Sequence, residues 1–154
     1  MKYACFIRGV GPENPNMHHD AFKKFFEDLD FNNVQPVISS GNVVFETDKK
    51  SEPQLEKFIE ENLPKKLGFS RAVIIRKQDY LKKLVDLDPF KGVKDSPTSK
   101  LNVTFLKSGG EVFTIINLQV KGTVKVMAEL EKQYGKNITT RTLGTIQKIL
   151  KKME

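Results

Sequence analysis

The sequence contains a single cysteine and no tryptophan among its 154 residues. One cysteine cannot form a disulfide within the chain, and a structural zinc site needs several converging cysteine and histidine ligands. Cys5, His18 and His19 are the complete supply of those residue types. We therefore expect no disulfide and no metal site. We also predict no cofactor. Cys5 lies in an alternating strand pattern, which predicts that its thiol packs as a small apolar group.

Long apolar runs are also missing, and none approaches the roughly 18 consecutive residues that a membrane helix requires. The first residues run directly into a strand pattern and show no apolar signal-peptide region. The chain has no low-complexity tract and no long linker. These absences favour a cytoplasmic protein without membrane contact, built as a single compact domain over residues 1–154 and most simply a monomer.

Negative charge is scarce in the second half of the chain. Residues 1–76 carry 11 lysines and arginines and 11 acidic residues, whereas residues 77–154 carry 15 and 8. The whole formal excess of +7 therefore lies after Arg76, which indicates an anionic partner. The alternative is a solvated, lysine-rich surface, because lysine recognises phosphate less specifically than arginine does.

Alternation of apolar residues with periods of 2 and 3.6 predicts an α+β protein. Residues 1–76 read as βαββαβ, which is the order of a ferredoxin-like, plait-type unit. The predicted segments are strands 2–8, 34–39, 42–47 and 71–76, a helix from about residue 19 to 29, and a helix starting at Ser51. The apolar face predicted for the first helix, from helical spacing, consists of Phe22, Phe25, Phe26 and Leu29. Residues 77–154 read as a smaller second half of order α-ββ-α-α, with a further short strand near residues 137–139 left open. Because the two halves have a similar alternation of helices and strands, a degenerate duplication is also left open.

The turn between the two central strands is the first candidate site. Gly41 and Asn42 are residue types that accept positive φ, as a tight hairpin turn requires. Ser40 and Asn42 add polar side chains to the backbone amides at this corner of the sheet. The corner is either a simple hairpin tip or the polar end of a binding cleft.

Three arginines stand at predicted element ends, where side chains often face a shared crevice. Arg8 ends the first strand, Arg76 ends the fourth, and Arg141 is predicted to open the last helix. An arginine in such a place can hold a carboxylate or phosphate bidentately. The alternative is that each forms a structural salt bridge or bonds backbone carbonyls. The glutamates of the second helix, Glu56 among them, are interpreted as solvated.

Several stretches together resemble the bacterial family called domain of unknown function 1697. They are Arg8-Gly9-Val10, residues 37–45, residues 73–76 with Asp88-Pro89-Phe90 downstream, residues 101–106, and Thr139-Thr140-Arg141 followed by Thr145. The resemblance implies a two-part α+β fold and no established activity. The family's usual Asn-Trp-Asn after this arginine is replaced here by Thr142-Leu143-Gly144, and its first loop is shortened.

Two functions follow as hypotheses. The first is a binding module for an anionic partner, which is a nucleic acid, a nucleotide or a phosphorylated metabolite. The alternative is a small enzyme acting on a phosphorylated or carboxylated metabolite through an arginine-lined pocket. The candidate anion-binding residues are Arg8, Ser40, Gly41, Asn42, Arg76, Arg141 and Thr145. In the predicted strand order Arg8 lies near Asn42, whereas the resemblance alone implies that Arg141 and Thr145 belong with them.

Overall fold

A computed structural model describes residues 1–10, 17–38, 41–48, 51–94, 96, 99–107, 109–117 and 123–154, with backbone alone for 116–117 and 123–127. This part of the chain forms five helices and seven strands. In order they are β1 (Lys2–Ile7), α1 (His19–Asp28), β2 (Asn32–Val37), β3 (Asn42–Glu46), α2 (Glu52–Leu67), β4 (Val73–Lys77), α3 (Gln78–Asp86), β5 (Ser99–Leu106), β6 (Glu111–Asn117), α4 (Thr123–Tyr134), β7 (Ile138–Thr142) and α5 (Leu143–Lys152). None of the helices so described is long and apolar enough to cross a membrane.

The first sheet has the strand order β2-β3-β1-β4, and each neighbouring pair is antiparallel. The predicted βαββαβ order of residues 1–76 is therefore present. Register pairs Phe6 of β1 with Asn42 of β3, and the N–H of Ile7 bonds the carbonyl of Gly41 at 2.8 Å. The end of β1 thus meets the start of β3, as the sequence predicted.

Helices α1 and α2 cover one face of this sheet. Phe22, Phe25 and Phe26 are all buried there, together with Cys5 of β1. Helix α2 begins as its sequence predicts, with a capping box between Ser51 and residue 54 and a proline in its first turn. The predicted apolar face of the first helix is confirmed, and so is the prediction that Cys5 packs as a small apolar residue.

A second sheet, of order β6-β5-β7, packs with α3 and α5 on the opposite face of the first sheet. Its closest aromatic contact is the stack of Phe6 in β1 on Phe105 in β5, with ring centroids 4.7 Å apart. Both faces of the first sheet are therefore buried. This explains why its central strand, β1, is apolar at Ala4, Cys5, Phe6 and Ile7 rather than alternating.

Strand β7 corrects one prediction. Arg141 does not open the last helix but lies inside this strand, paired in register with Val103. The β-branched run of residues 138–142 favours a strand, and the helix follows directly, capped by Thr142, whose Oγ1 accepts from the N–H of Thr145 at 3.2 Å. The α+β class is confirmed, whereas the division into subdomains at residues 76 and 77 stays a prediction.

Replacing Phe25 with alanine should lower the free energy of unfolding by about 3–5 kcal/mol, because its ring is 2% exposed in the first core. A urea melt followed by circular dichroism measures this loss. Lys24→Ala, at an exposed position of the same helix, serves as the control and should change stability by less than about 0.5 kcal/mol. A loss below about 1 kcal/mol for Phe25→Ala would contradict the packing described here.

Candidate functional site

Arg141 lies at the corner where β1, β3 and β7 meet. Its Nε donates to Oδ1 of Asn42 at 2.6 Å, and its Nη2 donates to the carbonyls of Ile7 at 3.0 Å and Gly41 at 3.4 Å. Nη1 donates to Oγ1 of Thr139 at 2.6 Å. The guanidinium therefore joins the second sheet to the hairpin corner of the first.

Burial is the main cause that lowers the pKa of Arg141 to about 10, so the side chain still carries its charge at neutral pH. Its guanidinium carbon lies 5.5 Å from the centroid of the Phe6 ring, a cation–π distance. The positive charge of Arg141 is thus stabilised by backbone carbonyls, the amide oxygen of Asn42 and the face of the Phe6 ring.

Gly41 is required at this corner for two reasons. Its φ is +79°, and a Cβ there would lie 2.7 Å from the carbonyl oxygen of Ile7 and 2.5 Å from Cγ2 of Val10. Asn42 fixes the turn from the other side, because its Nδ2 donates to the carbonyl of Val37 at 3.1 Å. Ser40 lies outside the described residues.

Arg8 follows β1 and faces a cleft of about 240 Å³ that Arg141 also lines, with Gly9, Glu131 and residues 138–140. Nη2 of Arg8 lies 3.1 Å from Oε2 of Glu131, and Nη1 donates to the carbonyl of Lys136. The Arg8 side chain is 29% exposed, whereas Arg141 is buried. The two arginines therefore share one cleft, and Arg8 is the one that solvent reaches.

Arg71 also lies beside this cleft, and the sequence reasoning missed it. Its Nε lies 3.5 Å from the carbonyl of Gly9, and a Cβ on Gly9 would come within 3.2 Å of that nitrogen. The signal was available, because Arg71 precedes β4 just as Arg8 follows β1, and these strands are antiparallel neighbours. Such neighbours bring the end of one to the start of the other.

Arg76 and Thr145 do not join this cluster by any contact seen in the described residues. Arg76 donates to the carbonyls of Leu106 at 2.6 Å and Gly110 at 3.4 Å, and it stacks 5.6 Å from the Phe105 centroid. Thr145 bonds Thr142 in the first turn of α5. Of the residues predicted from the sequence, Arg8, Gly41, Asn42 and Arg141 come together, and their role in binding an anion stays a prediction.

Glu56 corrects the interpretation of the second-helix glutamates as solvated. It is 6% exposed, and its Oε2 accepts from the backbone N–H of Ile75 at 2.9 Å. Burial raises the pKa of this carboxyl above its usual value, and burial likewise lowers the pKa of the nearby Lys107 ammonium. Periodicity places Glu56 beside Leu55, but only the fold brings β4 close enough to bury it.

Replacing Arg141 with methionine should destabilise the protein by at least about 3 kcal/mol, because Asn42 and two buried carbonyls lose their donor. Arg8→Met is the matched control, since it removes a half-exposed ion pair and should cost less than about 1 kcal/mol. Both losses are measured from denaturant melts. Equal losses for the two variants would contradict the structural role assigned to Arg141.

Comparison with known proteins agrees with the fold. A solved structure of a conserved bacterial protein from Streptococcus pneumoniae superposes with a TM-score of 0.75, covering 99% of this chain and 98% of the other, at 18% identity. This likeness shows the fold alone. No curated protein sequence matches the chain. The model of the family described as protein of unknown function (DUF1697) matches residues 1–132, so the chain belongs to the DUF1697 family.

Proposed function

We propose that this protein is a binding module for an anionic small molecule, and that the cleft of Arg8 holds the phosphate or carboxylate group of that ligand. The observation that carries the proposal is that Arg8 and Arg141 both line this cleft, while Nε of Arg71 lies 3.5 Å from the carbonyl of Gly9 in the cleft wall. Glu131 is the carboxylate that lines the same cleft. Cations therefore exceed anions at this place.

Arg8 is the residue best suited to contact the ligand. Its side chain is partly exposed, and its carboxylate partner Glu131 is itself 40% exposed, so an incoming anion can replace Glu131 at little cost. Arg141 has its donors on protein acceptors and contributes its charge from behind the cleft. The guanidinium of Arg8 offers the two parallel N–H groups that bind phosphate or carboxylate bidentately.

The size of the cleft limits the ligand. About 240 Å³ lies below the roughly 300–1,000 Å³ typical of pockets that enclose a whole drug-sized molecule. A phosphate or carboxylate group fits this space, whereas the rest of a nucleotide or metabolite would extend outward.

Titration of the protein with inorganic pyrophosphate by calorimetry tests the proposal. Arg8→Gln should weaken binding about ten-fold or more, because a charge-assisted bond is worth roughly 1.5–3 kcal/mol. Glu131→Gln should strengthen binding, since it removes the competing carboxylate. Lys23→Gln, which removes an exposed ion pair on α1, is the control and should leave binding unchanged. Equal affinity in the wild type and Arg8→Gln would refute the assignment.

A second candidate function is nucleic-acid binding, favoured by exposed lysines on two helices that contact each other. Lys82 and Lys83 lie on α3, and Lys148, Lys151 and Lys152 lie on α5. The start of α3 lies beside the end of α5, because Gln78 donates to the carbonyl of Met153. Lysines on such a face suit phosphate contacts without base recognition.

Fluorescent single-stranded DNA titrated at two salt concentrations tests the second candidate. Binding should weaken steeply with salt, because bound counterions are released on contact. Lys148→Glu with Lys151→Glu should weaken it further, whereas the matched pair Lys65→Glu with Lys66→Glu, exposed at the end of α2, should have a smaller effect. Absence of binding at low salt, or equal effects of the two pairs, would exclude this face.

A further inference from the structure

Two clefts meet between α2, β4 and the turn that joins β5 to β6. Both are open to solvent, and their volumes are about 480 Å³ and about 320 Å³. Pro53, Glu56 and Lys107 line both, so the two spaces share a common wall. This region is separate from the Arg8 cleft, with which it shares no lining residue.

The two clefts carry opposite charge. Three carboxylates and two ammonium groups line the larger one, those of Glu56, Glu60, Glu61, Lys57 and Lys107. Three cations and two carboxylates line the smaller one, those of Arg76, Lys77, Lys107, Glu52 and Glu56. The larger cleft therefore favours a cation, and the smaller favours an anion.

We propose that the joined clefts form a binding site for a small zwitterion of the α-amino-acid class. The ammonium group of the ligand lies on the side of Glu60 and Glu61, and its carboxylate lies on the side of Lys77 and Lys107. Pro53, in the wall common to both clefts, gives an apolar contact to the ligand's side chain. A ligand that carries only one charge complements the lining charge of only one of the two clefts.

The groups at the common wall are already held in place. The backbone N–H of Ile75 fixes the carboxylate of Glu56, and Glu60 pairs with the ammonium of Lys107. Lys107 and Glu60 are only 27% and 29% exposed. Because charges in partly desolvated places are less screened than charges in bulk water, they interact more strongly with a ligand. The raised pKa of Glu56 and the lowered pKa of Lys107 reflect the same desolvation.

Arg76 contributes to the field of the smaller cleft rather than to direct contact. Its donors reach the carbonyls of Leu106 and Gly110, as described above, and also the carbonyl of Ile75 at 3.0 Å. Lys77, which follows it, is half-buried and lines the same cleft. The ligand's carboxylate is therefore assigned to the two lysines.

A purely structural role is the competing explanation. Strand β4 is an edge of the first sheet, and Glu56 satisfies one of its outward N–H groups. The pair of Glu60 with Lys107 fastens the β5–β6 turn to α2. Neither contact involves Glu61, whose side chain is 56% exposed, so substitution at Glu61 separates the two explanations.

Calorimetric titration with L-norvaline and its two half-molecules tests the proposal. Butylamine lacks the carboxylate of norvaline, and pentanoate lacks its ammonium group. Norvaline should bind at least about ten-fold more tightly than either, because each half-molecule loses one charge-assisted contact. Equal affinity for all three compounds, or no saturable binding of norvaline up to roughly 10 mM, would overturn the proposal.

Two variants test which residues contact the ammonium end and the carboxylate end of the ligand. Glu61→Lys should weaken binding of norvaline and butylamine about ten-fold and leave pentanoate unaffected, and Lys77→Gln should do the reverse. Glu27→Lys, an equivalent exposed change on α1, is the control and should alter neither. The result is independent of pyrophosphate binding at Arg8. Equal effects of Glu61→Lys and Glu27→Lys on norvaline affinity would contradict the site.

Discussion

Two buried arginines connect the two sheets, because the side chain of each extends from one sheet and bonds the other. The side chain of Arg76, in the first sheet, donates to carbonyls at the β5–β6 turn. The side chain of Arg141, in the second sheet, donates to a carbonyl at the end of β1. Between them lie the stacked rings of Phe6 and Phe105, and each guanidinium sits over one ring. Together with the apolar core between the sheets, these contacts fix the position of one sheet against the other, because removing a partner from a buried charge is costly.

This arrangement decides which arginine side chains solvent can reach. A guanidinium has five N–H donors in a fixed fork, and those of Arg141 bond the side chains of Asn42 and Thr139 and several backbone carbonyls. Arg8 lies two residues beyond Phe6, directly after the end of β1, and keeps a side chain that solvent reaches. The buried arginine thus positions the corner of the cleft, and the partly exposed Arg8 faces the open space of the cleft.

The same inter-sheet contact creates the second pair of clefts. Fastening the β5–β6 turn beside β4 places Lys107 against the glutamates of α2, and the charges of a helix and a turn far apart in sequence become neighbours. Partly desolvated charges of both signs then line one wall. The two proposed sites therefore lie on either side of one interface and arise from one packing arrangement.

Local pattern in the sequence was sufficient for the first half of the fold. Apolar periodicity gave the βαββαβ order and the buried phenylalanines of α1, and turn chemistry gave the corner at Gly41 and Asn42. Antiparallel order brought Arg8 to that corner, because neighbouring strands meet end to start. Tertiary structure alone decided that Arg141 lies in a strand, that Arg76 serves another interface, and that Glu56 is buried. Those outcomes depend on which distant carbonyls and apolar surfaces surround a charged side chain, and neither spacing nor propensity along the chain records that environment.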